Sequence, residues 1–522
     1  MNSKKERERN ELHKTIWKIA NDLRGAVDGW DFKQYVLGLL FYRFISENLT
    51  NYINKSEQEI NKKFDYAKLP DEIAERDKQG IIEDKGFFIY PSQLFENVRK
   101  KADKDEDLNV TLKTIFQSIE KSAKGYKSED DVKGLFDDLD VNSNKLGNTV
   151  IERNEKLVKM LNAIGELKLG NYQDNTIDAF GDAYEYLMTM YASNAGKSGG
   201  EFFTPQEVGE LLAKIVIMDK KLVNKVYDPA CGSGSLLLKF AKILGKENVK
   251  DGFYGQEINI TTYNLARINM FLHDINYNNF DIALGDTLIN PKHWDDEPFD
   301  AIVSNPPYSI HWEGKKNPLL INDERYAPAG ILAPESKADL AFTMHMLSWL
   351  SEKGTAAIVE FPGVLYRGGA EGKIRNYLIE NNFVDAVIQL PADLFFGTSI
   401  ATCIIVLKKS KKDNSILFVD ASNEFVRNDT KNKLTDKNIN HIIDILRDRD
   451  NIEYKSILVS NEEIIKNDAN LSVNTYLKQE NKEEHIDIKE LNNNIKEIVK
   501  KEQELRESLN KIIQELEVMY SE

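Results

Sequence analysis

The sequence predicts an α/β protein with a mainly parallel central sheet, a helical N-terminal domain and a coiled-coil-type helix near the C-terminus. Three observations predict it. Apolar residues recur at helix spacing over residues 9–120, and short β-branched runs alternate with helical patterns over 200–420. An apolar three-four repeat then runs from Ile488 to Met519.

In the first region, Ile16, Trp17, Ile19, Ala20 and Leu23, then Tyr35, Val36, Leu39, Leu40, Tyr42 and Phe44, fall on helix faces with few turn signals between them. A polar stretch, Lys121–Asn148, reads as a link to a further helical segment over 149–195. It contains the acidic, turn-rich run Leu135–Asn144. In the second region Lys225–Tyr227, Gly252–Gly255, Ala301–Val303, Ala356–Val359 and Ile404–Leu407 read as strands of βαβ units. In the third, Ile488, Leu491, Ile495, Ile498, Leu505, Leu509, Ile512, Leu516 and Met519 share one seam, interrupted only by Glu502. The expected division is a helical domain with polar linker over 1–150, a sheet domain over 151–420, a variable polar segment over 421–482, and an assembly helix over 483–522.

Composition excludes several classes. The N-terminus is charged where a secretion signal needs an apolar stretch, and no apolar run approaches the roughly 20 residues that cross a bilayer. Cys231 and Cys403 are the only cysteines and lack CxxC spacing, which fits a reducing cytoplasm and no disulfide or zinc framework. His273, His293, His311 and His345 share no metal-ligand spacing. With a net charge of −16, the chain does not draw in a polyanion by its overall field, so a nucleic-acid grip needs a local patch or a partner.

Two stretches carry chemistry. In Val226–Leu238 a strand ends at Asp228, a turn with Gly232, Ser233 and Gly234 comes next, and a helix begins near Ser235. Glycines let backbone approach a ligand, and a helix N-terminus adds a positive dipole end. Such a turn alone suits a dinucleotide, a nucleoside or a tight bend. However, Leu237 replaces the third glycine of a dinucleotide fingerprint, and no Lys-Ser/Thr comes after it as in a phosphate loop. Glu257, at the tip of a second strand, can take ribose hydroxyls, and Asp286 can accept from an adenine amino group. Taken singly, these two acids would also serve as a helix N-cap and a turn residue. An acid at the first tip, glycines in the turn and an acid at the second tip suit a cationic, phosphate-free nucleoside: S-adenosylmethionine.

The second stretch is Asn305-Pro306-Pro307-Tyr308 at the end of an apolar strand. Prolines stop a strand and stiffen the loop beyond it. The adenine amine is a poor nucleophile because its lone pair is delocalised. The Asn305 amide oxygen and the Pro306 carbonyl can accept its hydrogens and turn the lone pair toward a methyl sulfonium, with the prolines holding both acceptors in place. Tyr308 can stack on a base turned out of a duplex. Cytosine-C5 chemistry needs a cysteine nucleophile, usually after proline, and neither cysteine fits. His311 and Trp312 lie close enough to border a base pocket. Lys315, Lys316, Arg325, Lys337, Arg367, Lys373 and Arg375 read as a solvated face before they read as phosphate ligands.

Gly200–Pro205, Asp228–Ser235 and Asn305–Tyr308, in that order, resemble amino-methyltransferases acting on DNA. With Gly181–Leu187, Ala195–Gly200, Leu135–Asn144 and Phe396–Ile400, the chain more closely resembles the modification subunits of type I restriction–modification systems, over nearly its whole length. The resemblance implies a Rossmann-like, S-adenosylmethionine-dependent fold. It implies that Glu201, Phe202, Phe203, Thr204, Pro205 and Gln206 wrap the methionine end of the cofactor, with Thr204 near its carboxylate. Ser233, Gly234 and Ser235 would lie under the nucleoside, Glu257 would hold the ribose, and Asn305–Tyr308 would be the catalytic loop. It further implies double-stranded DNA as substrate and adenine-N6 as target, with two modification subunits joined to one DNA-reading specificity subunit. A motor–nuclease subunit adds restriction in such systems. The same loop also serves methyltransferases of RNA bases or a protein glutamine, and a non-catalytic subunit could keep the pocket for its shape. Adenine over cytosine-N4 rests on Asn305.

Overall fold

A computed structural model describes residues 12–14, 16, 29–167, 180–181, 183–187, 204–218, 220–395, 398–428, 431–478 and 488–519. It separates into two compact units, 1–477 and 478–522.

The first unit opens with α1 (Gly29–Glu57), followed by α2 (Leu108–Ser122) and α3 (Val150–Glu166). The α3 start is set by a reciprocal cap: the Glu152 N–H donates to Thr149 Oγ1 at 3.2 Å, and the Thr149 N–H donates to Glu152 Oε2 at 3.1 Å. Leu39, Leu40 and Tyr42 of α1 are buried in the core these helices share. Lys121–Asn148 is not a free link. Leu135, Phe136, Leu139 and Val141 are buried, and Phe136 stacks on Phe116 with centroids 4.4 Å apart. Spaced among acids and turn formers, these apolar residues show no period, yet each fills the core.

Among the described residues nine strands form the central sheet: β1 (Val223–Asp228), β2 (Val249–Glu257), β3 (Phe280–Leu284), β4 (Phe299–Ser304), β5 (Leu350–Glu360), β6 (Val384–Gln389), β7 (Cys403–Leu407), β8 (Ser415–Asp420) and, after a small β9–β10 ribbon (Val426–Asn428, Lys431–Lys433), β11 (Ser456–Ser460). Their order is β11-β8-β6-β7-β5-β4-β1-β2-β3. The pairs from β3 across to β5 are parallel, as is β6 with β8. Strand β7 runs antiparallel between β5 and β6, and β11 is antiparallel to β8. The sheet is therefore mainly parallel, and it continues past residue 420. The polar composition of 421–482 hides β11 and the helix Asp436–Asp448, which buries Ile439, Ile442, Ile443, Ile445 and Leu446.

Alternation along the strands divides the interior in two. Val226, Ala301, Val303, Ala357 and Val359 share one core, continuous with the N-terminal helices. Tyr227, Ile302, Ala356 and Ile358 share the other. Helices α4 (Gln206–Ile217), α5 (Ser235–Leu244) and α6 (Ile260–Leu272) belong to the first core, and α7 (Asp339–Trp349) to the second. On α6, buried Arg267 donates to the Asp130 and Lys133 carbonyls at 2.7 and 2.9 Å, docking the N-terminal helices on the sheet domain.

Among the described residues the second unit contains one helix, Ile488–Met519, in which Ile495, Ile498, Leu505 and Leu509 are exposed. Among the described residues no helix is long and apolar enough to cross a membrane. Trp17, Ile19, Ala20, Leu23, Asp182, residues 195–203, Phe396 and Gly397 lie outside the described residues.

Candidate nucleoside pocket and acceptor loop

After β3 the chain returns to the other side of β1, so the loops at the ends of β1 and β4 diverge. Ligands of open α/β sheets sit in the crevice such a reversal creates. A cavity of about 330 Å³ lies there, lined by Asp228, Gly232, Ser233, Ser235, Glu257, Asp286, Thr204, Asn305 and Pro307, among others.

Asp228 ties two strand tips together. Its Oδ1 accepts from the Ala230 N–H at 3.0 Å and from Ser304 Oγ at 2.9 Å, while buried Oδ2 has no hydrogen-bond partner among the described residues. Burial pushes this carboxyl up to about 7. Gly232 and Gly234 take positive φ, 54° and 75°, and Gly234 starts α5. At Gly255 on β2 a side chain would meet Cys231 at 2.9 Å, so β2 can lie against the turn only as glycine.

Glu257 is held at both oxygens, accepting from the Gly232 N–H at 3.0 Å and the Asn259 N–H at 2.8 Å. Burial raises its pKa despite these contacts. Asp286 Oδ1 accepts from the Leu288 N–H at 2.9 Å. Arg325 braces the same segment, donating to the Thr287 and Leu288 carbonyls at 2.7 and 2.9 Å and pairing with Asp323 at 2.7 Å.

In the acceptor loop, Asn305 Nδ2 donates to Thr204 Oγ1 at 3.0 Å, and Tyr308 Oη donates to Asn305 Oδ1. The Tyr308 ring stacks on Phe361, centroids 4.2 Å apart, and meets Phe395 edge-on at 6.5 Å. Ser309 comes next with φ 50°, its N–H donating to Asp339 Oδ1 at 3.0 Å.

Most of the sequence-derived residues thus converge. Glu201, Phe202 and Phe203 lie outside the described residues. Pro205 caps α4, and Gln206 accepts from Lys239 rather than lining the cavity. Gly234 shapes the turn, Pro306 stiffens the loop and Tyr308 packs on Phe361, but none of the three lines the cavity. His311 and Trp312 do line it. Arg325 and Arg375 are buried, with their donors on main-chain carbonyls, so neither is part of a solvated face. Sequence reasoning missed Ile258, Phe342 and Leu288 on the cavity wall, and Phe361 and Phe395 beside Tyr308. Ile258, an apolar residue exposed next to Glu257, was the one local signal.

The N-6 DNA methylase family profile matches residues 175–485, and the HsdM N-terminal domain profile matches 12–164. The type I restriction enzyme MpnII methylase subunit of Mycoplasma pneumoniae is 51% identical over 99% of this chain and 98% of its own length. The MjaVII methylase subunit of Methanocaldococcus jannaschii is 34% identical over 67% of this chain and 61% of its own. The crystal structure of the type I restriction–modification system methyltransferase subunit from Streptococcus thermophilus superimposes with a TM-score of 0.82 at 33% identity, covering 90% of this chain and 100% of that one. The fold is that of a methyltransferase. The chain belongs to the N-6 DNA methylase family, with the methylase subunits of type I restriction enzymes.

Proposed function

We propose that this chain is the catalytic subunit transferring a methyl group from S-adenosylmethionine to the N6 amine of an adenine turned out of double-stranded DNA, at a site read by a separate specificity subunit. The observation that carries the reading is the Asn305 amide at the tip of β4, beside a cavity that Asp228, Glu257 and Asp286 also line. Three carboxyl groups around one cavity fit a cationic ligand. S-adenosylmethionine supplies an electrophilic methyl group on a sulfonium. Glu257 would hold the ribose, Asp286 the base edge, and the turn Gly232–Ser235 the nucleoside, with Thr204 toward the methionine end.

The chain's own chemistry is orientation. The Asn305 oxygen and the Pro306 carbonyl accept the hydrogens of the adenine amine, leaving its lone pair directed at the incoming methyl carbon, and Pro306 and Pro307 keep the acceptors from relaxing. Tyr308 and Phe361 offer aromatic surface for the base, with buried Phe395 packed edge-on against Tyr308. Cys231 and Cys403 are buried, with pKa values well above the usual thiol, so neither supplies the thiolate that attack at a cytosine ring carbon requires. The helix Ile488–Met519 is the surface for docking the specificity subunit, two copies of this chain to one reader, in a cytoplasmic complex that a motor–nuclease subunit can join.

Labelled-methyl transfer to duplex DNA, with this chain alone and with its specificity subunit, tests the reading. N6-methyladenine formed only with the partner is expected. Methyl transfer to RNA or protein, with none to DNA under either condition, overturns it.

A further inference from the structure

Away from the cavity, His293, Asp281 and Asp296 bring one ring nitrogen and two carboxylate oxygens within 4.8 Å of one another. Asp281 is on the edge strand β3, and the other two lie in the segment leading to β4. The His293 ring is buried and fixed: Nε2 lies 2.9 Å from the Gly255 carbonyl, and Tyr254 meets the ring edge-on at 5.4 Å. A carbonyl oxygen only accepts, so Nε2 carries the hydrogen. In the neutral ring Nδ1 then turns a lone pair toward Asp296 Oδ2 at 3.2 Å and Asp281 Oδ2 at 3.9 Å. Three acceptors facing one another call for a cation between them.

The Nδ1–Asp296 separation of 3.2 Å is at the long end of the hydrogen-bond range and the Nδ1–Asp281 separation of 3.9 Å lies beyond it, so a proton on Nδ1 serves one carboxylate and leaves the other unserved. Ligands about 2.0–2.1 Å from a tetrahedral zinc ion lie about 3.3 Å apart, which the two values bracket. The Nε2–carbonyl contact is the outer partner a metal-ligating imidazole ordinarily has. Lys225 donates to the Asp296 carbonyl at 2.5 Å and fixes that loop.

We infer that His293 Nδ1, Asp281 and Asp296 form a structural site for a first-row divalent cation, zinc by ligand chemistry, completed by water. One imidazole and two carboxylates leave the bound ion neutral overall and suit zinc better than magnesium, which prefers six oxygens. The ion would pin β3 to the approach of β4. It would thereby close the ends of the segment that carries Asp286 and Thr287 to the cavity wall.

The full chain, stripped with EDTA and dialysed, is titrated with Zn²⁺ by calorimetry and with Co²⁺ by visible absorption. Asp281→Asn and Asp296→Asn serve as comparators, because both side chains are partly exposed and spare the fold. One equivalent of Zn²⁺ is expected, with the melting temperature rising as zinc rises, ligand-field bands for Co²⁺, and affinity at least ~10-fold weaker in each variant. Absence of stoichiometric binding by the wild type, or equal binding by both variants, overturns the assignment.

Discussion

The hydroxyl of Tyr308 donates to the amide oxygen of Asn305 at 2.5 Å, while the tyrosine ring lies on Phe361. The oxygen proposed to receive the adenine amine is thus held by the residue proposed to receive its ring, so base entry and release of that bond are one event. Tyr308→Phe keeps the stacking and frees the oxygen, and methyl transfer should fall less than about tenfold. Tyr308→Ala removes the platform, worth roughly 1–3 kcal/mol per base, and should cost about 10–100-fold in kcat/KM. Asn305→Ala should lower kcat by at least about 100-fold with S-adenosylmethionine affinity little changed, as for loss of one transition-state partner. Single-turnover methylation of duplex DNA by the assembled complex distinguishes the three.

As a proposed contact of the cofactor, Asp228 should make its binding depend on pH. Its pKa, raised by burial to about 7, lies above the unfolded value, so the stability it contributes at low pH is lost as pH rises through 7. A cation is bound by the ionised form and releases a proton there. S-adenosylmethionine affinity should therefore rise about tenfold from pH 6 to pH 8. The uptake or release of protons, read by calorimetry in two buffers of different ionisation heat, checks the sign. Asp228→Asn should flatten the profile.

The turn after β1 is vulnerable at Gly234. Its φ of 75° disfavours any side chain, and a Cβ there would meet Met270 Cε at 3.1 Å. Gly234→Ala should lose about 1–2 kcal/mol of stability from the left-handed backbone alone. Gly330, with φ 65° and open space around it, is the control for backbone strain without crowding. Urea melts of both variants separate the two contributions.

Residues 478–522 form a unit of their own. Deleting them should leave the melting of the remaining chain and its S-adenosylmethionine affinity unchanged within about twofold, while co-purification with the specificity subunit is lost. Replacing exposed Leu505 and Leu509 with Lys should have the same selective effect if the seam itself is the docking face.

What the sequence made legible was local. Asp228, the glycine turn, Glu257 and Asn305–Tyr308 each sit at the end of a short apolar run, where turn chemistry and strand ending coincide within a few residues. Phe361 and Phe395 escaped because only tertiary packing brings them to Tyr308, and neither stands in a patterned stretch. Phe136 escaped because a single aromatic among acids has no period, although it stacks in the core. Arg325 looked solvated because charge suggests exposure, yet its guanidinium satisfies main-chain carbonyls that would otherwise be buried without donors. Asp281, His293 and Asp296 converge only through the pairing of β3 and the return of the chain toward β4.

The reversed direction of β7 sets apart one wall of the site. Because β6 and β7 are antiparallel, residues 390–402 leave and re-enter the sheet at the same end, next to Tyr308, with the Leu390 N–H closing onto the Thr402 carbonyl at 2.9 Å. Beyond those two feet the excursion is held by the β9–β10 ribbon: Asn432 donates to the Ala392 and Asp393 carbonyls at 2.9 and 3.0 Å, and Lys431 Nζ to the Phe395 and Thr398 carbonyls at 2.8 and 3.0 Å. The opposite wall is tied without any such outside element, where Asp228 and Glu257 lash three loops together. Lineages sharing this scaffold are therefore expected to change 390–402 and the ribbon together, and to keep the β1 turn constant.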